Sequence, residues 1–283
     1  MKILVTGSSG QLGSVTVKHL KAHQHTIYGI DISPSATTDE LVDITDADAI
    51  TAVCRDFDAV IHTAALHGKH YELGYPRSAF VKTNIDGTLN LLNACIKNNI
   101  PRFLFTSTTS IYGDALVDHE KAVWVDELLT ERPRDIYDIT KQTAEQLCKD
   151  FFYKEGLQAS VYRVARFLPE DDNLKLNHRL YRGLDERDGT EALRLALDTS
   201  FSNFEIFNIS SGSPFKHDDL YNIKQDPEQA ILKYYPEAAK IYKANGWQFP
   251  RSIDRVYVYD KAARYLNYKP TFTFGHLLNN IKG

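Results

Sequence analysis

A tyrosine and a lysine four residues apart are the side chains of this chain best suited to chemistry. Tyr137 and Lys141 occur in the stretch YDITK. A spacing of four places both on one face of a helix, so the ammonium can lie near the phenol. A phenol with a pKa of about 10 is a poor base at neutral pH, but an adjacent cation favours the phenolate. The pair could therefore move a proton at a hydroxyl, although taken alone it is more typical of an ordinary helix surface.

A glycine-rich loop near the N-terminus indicates a phosphate site. Gly7, Gly10 and Gly13 in TGSSGQLG follow a short apolar run and precede a helical stretch. Glycines at such a place permit a tight turn, close approach of the backbone to a pyrophosphate and close packing of helix on strand. The N-terminus of the helix adds N–H groups and a positive dipole. The loop therefore predicts a dinucleotide-binding site.

An acidic residue at the end of the second predicted strand supports this interpretation. The carboxylate of Asp31 is placed to accept hydrogen bonds from a ribose 2′-OH. Its charge would repel a 2′-phosphate, and no Lys or Arg follows it before Arg55, so NAD is favoured over NADP. The alternative is that Asp31 only begins a turn ahead of Ser33 and Pro34.

The elements that must position these residues alternate along most of the chain. Short β-branched or aromatic runs predict strands at residues 3–5, 26–30, 59–62, 103–106, 159–163 and 205–209. Amphipathic stretches predict helices at residues 11–23, 46–54, 78–98, 140–155 and 190–197. This alternation predicts an α/β fold, with a Rossmann-like doubly wound parallel sheet.

The pattern loosens from about Asp171, and the tail keeps helical stretches around residues 229–245. We therefore predict two regions. An NAD-binding domain occupies residues 1–168, and a strand near 204–209 returns to it. A small C-terminal substrate lobe is formed mainly by residues 169–283 and covers the carboxyl edge of the sheet, where ligands of such sheets bind.

Composition limits the class of protein. The chain has 283 residues, of which 43% are apolar and 25% charged, and a formal charge of −4. This charge gives no basic footprint for nucleic acid or anionic lipid, and no apolar run reaches the length of a membrane span. Cys54, Cys95 and Cys148 are odd in number and far apart, which favours free thiols in a reducing compartment. With no room for a leader before the first strand, we expect a cytoplasmic protein with neither nucleic-acid nor membrane partners.

Taken in order, these motifs resemble those of the extended short-chain dehydrogenase/reductases, in the NAD-dependent epimerase/dehydratase branch. The resemblance rests on the GxxGxxG spacing, Asp43-Ile44, HTAA at 62–65, Asn84 with Gly87-Thr88, FTSTTSIYG at 105–113 and the closing SIDRVYVYDKAARYLNYKPTFTF. It covers most of the chain and implies hydride transfer with NAD, with Tyr137 as the proton-transfer residue.

The resemblance also implies the other site residues. Lys141 would hold the nicotinamide ribose, and Thr108 would orient the substrate, with Ser107 and Thr109 as rivals. The implied cofactor-binding residues are Gly7, Ser9, Gly10, Gln11, Leu12, Gly13, Asp31, Asp43, Ile44, Thr63, Ala64, Ala65, Asn84, Tyr137 and Lys141. Asp138 departs from the family pattern, which usually has glycine after the tyrosine. Its charge could oppose phenolate formation, but the two side chains should diverge on a helix, so this departure bears on rate rather than mechanism.

Three histidines raise the possibility of a metal site. His62, His67 and His70 lack companion carboxylates at metal-ligand spacing, so we expect no metal. His67 and His70 are instead expected at the mouth of the nicotinamide pocket, where both are candidates for substrate contact, and His67 is the one assigned to the site.

The substrate region differs from that of the nucleotide-sugar epimerases. Arg163 matches the family's arginine, but Arg166 stands where they carry an asparagine, and the nucleotide-gripping insert after Pro169 is shortened. This shortening resembles the uronate and sugar dehydrogenases of the same superfamily. Arg166 would suit a carboxylate or phosphate, because guanidinium binds oxyanions in bidentate fashion. The alternative is a surface arginine paired with Glu170 or Asp171.

The sequence therefore predicts an NAD-dependent oxidoreductase acting at a secondary alcohol or ketone of a sugar or sugar acid. Substrate contacts are assigned to His67, Thr108, Thr109 and Arg166. One alternative is a UDP-hexose 4-epimerase that retains NAD, and another is a catalytically silent dinucleotide sensor. The resemblance also implies a homodimer formed through helices 78–98 and 140–155, where apolar residues are numerous enough for both core and interface: Phe80, Leu91, Ile96, Leu147, Phe151 and Phe152.

Overall fold

The computed structural model describes residues 1–167 and 171–281. Within these ranges the strands are β1 (Lys2–Thr6), β2 (Thr26–Asp31), β3 (Glu40–Leu41), β4 (Ala59–His62), β5 (Arg102–Thr108), β6 (Val123–Val125), β7 (Gln158–Val164), β8 (Glu205–Ile209) and β9 (Arg255–Tyr257). The α-helices of the same ranges are α1 (Gln11–Ala22), α2 (Ala47–Val53), α3 (Gly68–Glu72), α4 (Arg77–Phe80), α5 (Gly87–Lys97), α6 (Ile136–Glu155), α7 (Asp172–His178), α8 (Glu186–Leu197), α9 (Leu220–Gln225), α10 (Pro227–Tyr234), α11 (Ala238–Asn245), α12 (Asp260–Leu266) and α13 (Phe274–Asn280).

Seven parallel strands form the central sheet in the order β3-β2-β1-β4-β5-β7-β8. The predicted doubly wound parallel sheet is confirmed, and each of the six predicted strands lies within an observed one. The direction of winding reverses between β1 and β4, which opens a crevice at the carboxyl ends of these strands. The loops that carry the predicted cofactor residues leave the sheet at this edge.

Two predicted helices differ from the observed ones. Helix α6 begins at Ile136 instead of residue 140, because the Asp135 side chain caps it by accepting from the Asp138 N–H at 2.9 Å. Tyr137 therefore lies in its first turn. The single helix predicted at 78–98 is α4, a π-helical segment at Val81–Asp86, and α5. Such π-helical segments occur frequently at functional sites.

Buried apolar side chains cover both faces of the sheet. One cluster packs α1 and α8 against the strands, and a second packs α2, α5 and α6 against the other face. The apolar residues considered for a dimer interface belong largely to this second cluster, since Leu91 is fully buried and both Phe151 and Phe152 are 9% exposed. They stabilise the chain itself, and a homodimer stays a prediction.

A third buried cluster forms the core of a small lobe that includes residues of α7, α9, α10, α11 and α13. Strand β6, which precedes the predicted boundary at 168, pairs with β9 in a separate two-stranded sheet. Helix α8 and strand β8, which follow the boundary, join the main sheet layers. The chain therefore passes between the sheet domain and the lobe more than once, on both sides of residue 168. The role of the lobe in substrate binding stays a prediction.

In the ranges the structure describes, no helix combines the length and the apolar character needed to cross a membrane. Cys54, Cys95 and Cys148 are buried and free of disulfide bonds.

Candidate active site

The glycine loop between β1 and α1 packs directly against the backbone that follows β4. Gly7 has a φ of 71°, and a Cβ on it would lie 2.6 Å from the backbone nitrogen of Ala64. A Cβ on Gly13 would lie 2.0 Å from the carbonyl oxygen of Gly7. Both distances are far too short for real atoms, so these positions require glycine for the loop itself to close.

The N-terminus of α1 fits a phosphate group. Its first residue is Gln11, and the preceding Gly10 supplies no side-chain cap for the N–H groups of the first turn. Leu12 is buried below this turn and anchors it to the core. An uncapped helix N-terminus beside a glycine loop can donate N–H groups to a pyrophosphate. The Gln11 side chain itself hydrogen-bonds the Glu186 carboxylate of α8.

Asp31 holds the loop as well as the turn after β2. Its Oδ2 accepts from the Ser9 N–H at 3.0 Å and its Oδ1 accepts from the Ser33 N–H at 3.0 Å. The turn interpretation is therefore correct as far as it goes. Each carboxylate oxygen has two lone pairs, so the half-buried Asp31 retains capacity to accept from a ribose hydroxyl.

The segment after β4 is tied to β1 by side-chain hydrogen bonds. Thr63 Oγ1 donates to the Thr6 carbonyl at 2.7 Å, and Ala64 N–H donates to Thr6 Oγ1 at 3.3 Å. Buried His62 links Thr6 Oγ1, 2.7 Å from its Nδ1, to Thr88 Oγ1, 3.0 Å from its Nε2. Burial holds the pKa of His62 well below its usual value, so the ring is neutral and structural. Thr63, Ala64 and Ala65 are half-buried at the crevice.

Asn84 joins this segment to the helix that carries Tyr137. It lies in the π-helical segment, is 2% exposed, and its Oδ1 accepts from the Leu66 N–H at 2.8 Å. Its Nδ2 donates to the Leu66 carbonyl and to Thr140 Oγ1, both at 2.9 Å. Thr140 in turn donates to the Tyr137 carbonyl at 2.9 Å. Asn84 therefore positions the first turn of α6 relative to the crevice.

Asp43 and Ile44 are placed differently from each other. The Asp43 carboxylate is exposed and accepts from the Thr45 N–H at 2.8 Å. Ile44 is 5% exposed and packs beneath α5, where a Cβ on Gly87 would lie 2.6 Å from Ile44 Cδ1. Most of the Ile44 side chain is therefore occupied in the core, and Asp43 is the accessible member of the pair.

Tyr137 and Thr108 meet at the carboxyl edge of the sheet. Thr108 is the last residue of β5, and its side chain lies near enough to the Tyr137 hydroxyl to act on the pKa of the phenol. Burial raises the pKa of Tyr137 to about 12, Thr108 opposes the shift, and the charges of Asp138 and Asp135 add to it. The phenol is therefore protonated at neutral pH in the protein without ligands.

Lys141, on the same helix, is more deeply buried than the sequence indicated. It is 3% exposed, its Nζ donates to the Thr106 carbonyl at 2.6 Å, and it lies 4.1 Å from the centroid of the Phe105 ring. Burial lowers the pKa of Lys141 to about 7, against an opposing contribution from Glu145. The structure brings Lys141 to the strand that ends in Thr108, but the charges that act most on Tyr137 are carboxylates.

Asp138 lies close enough to Tyr137 to act on its pKa. The Asp138 side chain is fully buried, its Oδ2 accepts from the Arg134 N–H at 3.3 Å, and its Oδ1 has no hydrogen-bond partner among the described residues. Its charge raises the pKa of Tyr137 and so opposes phenolate formation. The reason is the early start of α6, which places both residues in a first turn folded against the segment after β5.

We expect Asp138→Asn to shift the pH dependence of activity toward lower pH. Removing the carboxylate removes one cause of the raised pKa of Tyr137, so the phenolate forms at lower pH. If the phenolate acts as base, the ascending limb of log(kcat/KM) against pH moves with it. Asp150→Asn, on an exposed part of the same helix, is the control that should leave the limb in place. An unmoved limb in Asp138→Asn would contradict the electrostatic link.

Two other predicted substrate residues, Thr109 and His67, differ in their exposure. Thr109 follows Thr108 and is 4% exposed, which makes it a weaker rival for substrate contact than Thr108. His67 is exposed and precedes α3, and its ring makes an edge contact with His70, with the centroids 4.4 Å apart. His70 Nδ1 accepts from the His67 N–H at 3.1 Å, so His70 serves the local turn.

Arg166 lies just beyond β7 with an exposed side chain. Its N–H donates to the Arg182 carbonyl and its carbonyl accepts from the Leu184 N–H, both at 2.9 Å. Its predicted alternative partner Asp171 caps α7 instead, accepting from the Leu174 N–H at 2.8 Å. Glu170 and Pro169 lie outside the described residues. The backbone bridge brings Arg166 beside the segment that carries Arg179 and Arg182.

This segment also lines a cavity that the sequence did not indicate. The cavity has a volume of about 370 Å³ beside the N-terminus of α1. Its lining residues are Gln11, Val15, Lys175, Arg179, Leu184, Asp185, Glu186 and Arg187. Arg179 is 6% exposed and its Nε has no hydrogen-bond partner among the described residues. The cations between residues 175 and 187 were the available signal, but their common position depends on the chain path after β7.

The chain is similar in sequence and in structure to several known proteins. The sequence model of the NAD dependent epimerase/dehydratase family matches residues 3–181. The chain is 30% identical over 182 residues to the "Uncharacterized UDP-glucose epimerase YtcB" of Bacillus subtilis, a match that covers 58% of this chain and 55% of that protein. This relative and two others are matched over only 39–64% of their own length.

Two further matches extend over nearly the whole chain. The uronate dehydrogenase of Pseudomonas syringae pv. tomato is 22% identical over 272 residues, which cover 93% of this chain and 92% of that protein. A short-chain dehydrogenase/reductase superfamily protein from Agrobacterium tumefaciens, solved with bound NAD, superposes with a TM-score of 0.74 at 19% identity. That superposition covers 99% of this chain and 95% of the other, and it supports the fold.

Proposed function

Because this chain belongs to the NAD-dependent epimerase/dehydratase family, we propose that it transfers a hydride between NAD and a secondary alcohol of a sugar or sugar acid. The observation that carries the proposal is the meeting of Tyr137 and Thr108 at the carboxyl edge of the sheet, with Lys141 buried beside the same strand and bound to the Thr106 carbonyl. Alcohol oxidation requires a group that orients the substrate hydroxyl, a group that takes its proton and a nearby cation.

The crevice residues fit the family's cofactor. The uncapped first turn of α1 would bind the pyrophosphate, and Asp31 would accept from the adenosine ribose. Asp43 would contact the adenine region, and Thr63, Ala64 and Ala65 would line the crevice between the two ribose positions. NAD bound there supplies the acceptor for a hydride from the substrate carbon.

The proton is handled by the chain's own residues. Thr108 orients the substrate hydroxyl, and the Tyr137 oxygen receives its proton. Because the pKa of Tyr137 is raised to about 12, the phenolate needs additional positive charge beyond what the chain supplies on its own. Lys141 would bind the nicotinamide ribose through its ammonium. Asn84 holds the turn of α6 on which Tyr137 lies.

A carboxylate on the substrate is favoured by the cations near the crevice. Arg166, exposed beyond β7, and Lys175 and Arg179, which line the cavity beside α1, are suited to bind an oxyanion. The match to a uronate dehydrogenase covers 93% of this chain and includes the segment that carries these cations. We therefore favour a sugar acid as substrate and net NADH formation.

A nucleotide-sugar 4-epimerase is the second candidate. It is favoured by the 30% identity to YtcB, which exceeds the identity to the uronate dehydrogenase, although it covers only 58% of the chain. An epimerase returns the hydride to its substrate and keeps NAD bound, whereas a dehydrogenase releases NADH. The two candidates therefore differ in an observable way.

The test begins with the purified protein and its retained nucleotide. Uronates, aldoses and UDP-hexoses are then each supplied with NAD, and NADH is followed by absorbance while the sugars are followed by chromatography. We expect NADH from a uronate or related sugar acid. Conversion of a UDP-hexose to its 4-epimer without net NADH would replace the proposal with the second candidate. Arg166→Ala should raise KM for a carboxylated substrate more than for its uncharged analogue.

Asp31→Asn is expected to weaken NAD binding by about 10- to 100-fold, the effect of losing a hydrogen bond to a charged group. NADP binding should weaken less or improve, because the repulsion of a 2′-phosphate is removed. Isothermal titration with both dinucleotides measures the ratio, and Asp86→Asn at an exposed position is the control. An unchanged ratio would mean that Asp31 only holds the turn.

A further inference from the structure

Helix α6 carries a second buried charge one turn after Lys141. Glu145 is fully buried, and both of its carboxylate oxygens are bound. Ser107 Oγ donates to Oε1 at 2.5 Å, Arg163 Nε donates to Oε1 at 3.0 Å, and Arg163 Nη2 donates to Oε2 at 2.7 Å. An ionised carboxylate costs free energy to bury, and this one is retained only because its partners are fixed.

The partners of Glu145 leave an excess of negative charge. Arg163 also binds the Glu131 carboxylate, and its Nη1 donates to the Tyr112 hydroxyl at 3.1 Å. The Tyr112 hydroxyl in turn donates to Asn208 Oδ1 at 2.8 Å. One guanidinium therefore faces two carboxylates. Lys141 and Glu145 lie one turn apart on α6 and bind consecutive residues of β5, since Lys141 Nζ donates to the Thr106 carbonyl and Glu145 accepts from Ser107. Lys141 is therefore placed to balance the remaining negative charge, and Glu145 raises its pKa.

The other groups that face Lys141 are uncharged. The Thr106 carbonyl accepts from Nζ and the Phe105 ring lies beneath it. His62 is held neutral by burial, which lowers its pKa, and Cys148 is held as a thiol because burial raises its pKa. Among these surroundings, Glu145 is the anion that acts on the ammonium.

We propose that Glu145, held by Arg163 and Ser107, is a positioning residue that favours the ammonium form of Lys141. Since Ser107 directly precedes Thr108 on β5, the same carboxylate also fixes the end of the strand that carries Thr108. The functional consequence rests on the proposed function, in which the ammonium binds the cofactor and assists Tyr137.

The sign of the effect follows from the buried site. Burial lowers the pKa of Lys141 to about 7, and the charge of Glu145 works against this lowering. Loss of that charge lowers the pKa further. The ammonium exists below the pKa, so in a variant without the charge it disappears at lower pH, and less of it remains at pH 7.

The test measures the titration of Lys141 in the full chain without cofactor or substrate. Protein labelled with 13C-lysine is titrated by NMR, and the Lys141 signal is assigned with Lys141→Met. We expect Glu145→Gln to lower the pKa of Lys141 by about one unit or more, the usual effect of an adjacent opposite charge. Glu131→Gln is the matched control, because it removes the same charge from the same arginine at a side chain that is 26% exposed. Its shift should be smaller.

Equal shifts in the two variants, or no shift in Glu145→Gln with native circular dichroism, would overturn the proposal. If Glu145→Gln does not fold, Glu145→Asp and Glu131→Asp replace the pair, since each moves the charge by one methylene and only the former should move the Lys141 titration. The titration involves no turnover. A confirmed shift in a protein that oxidises no sugar would therefore refute the proposed function alone.

A second arm links the titration to binding. NADH affinity should fall as pH rises through the pKa of Lys141, and this fall should occur at lower pH in Glu145→Gln. A fall at the same pH in both proteins would show that NADH affinity does not depend on the titration of Lys141.

Discussion

Tyr137→Phe is expected to lower kcat by about 10²- to 10⁴-fold, the usual contribution of a positioned proton-transfer group. The phenyl ring keeps the packing of the first turn of α6, and only the hydroxyl that faces Thr108 is lost. NAD binding should therefore be retained. Steady-state kinetics on the best substrate from the screen, together with titration of NAD by calorimetry, separates the two effects.

The matched control is Tyr153→Phe. Tyr153 lies on the same helix, is 56% exposed, and is remote in sequence from the first turn. It should leave kcat unchanged. If Tyr137→Phe leaves every measured activity intact while NAD still binds, the proton-transfer role fails and the silent dinucleotide sensor becomes the better interpretation.

Gly13→Ala is expected to weaken NAD binding by about 100-fold or more, which corresponds to about 2.8 kcal/mol. The new Cβ would lie 2.0 Å from the Gly7 carbonyl oxygen and 2.8 Å from its carbon, so backbone must move. Gly7 cannot yield easily, because its own space is closed by Ala64. The movement therefore displaces the first turn of α1, which supplies the N–H groups for the pyrophosphate.

Thermal unfolding with and without NAD measures this effect beside direct titration. A ligand that binds only the folded protein raises Tm, so the wild-type protein should gain stability with NAD while Gly13→Ala gains little. Gly68→Ala serves as control, since a Cβ at that position would meet nothing within 4 Å. Equal stabilisation of Gly13→Ala and wild type by NAD would show that the loop does not hold the cofactor.

The order and type of the main elements could be predicted from the sequence because the strands of a parallel sheet are apolar on both faces. All six predicted strands appear with ends displaced by at most two residues, as at β5, where 103–106 became Arg102–Thr108. The short strands β3, β6 and β9 gave no such signal. The sequence pattern predicted that α6 begins at Thr140, because the residues before it show no regular periodicity. The helix begins four residues earlier because the Asp135 side chain caps it.

Within the site, the structure gives a steric reason for two glycines of the loop, since a Cβ on Gly7 or Gly13 would lie 2.6 or 2.0 Å from backbone atoms. The binding of NAD by this loop and by Asp31 stays a prediction. Sequence reasoning did not find the contacts between residues far apart along the chain. The lining of the cavity by Arg179 and the pairing of Arg163 with Glu145 are examples.

The sequence by itself determined the parallel α/β sheet, the glycine loop and the Tyr137–Lys141 spacing, because these depend on local periodicity and on the chemistry of single side chains. Only the tertiary structure decided the electrostatics of the site. It buries Lys141 against β5, sets two carboxylates near Tyr137, and brings Glu145 together with Arg163. The reason is that pKa values follow burial and distance in space, and neither quantity can be read from residue order.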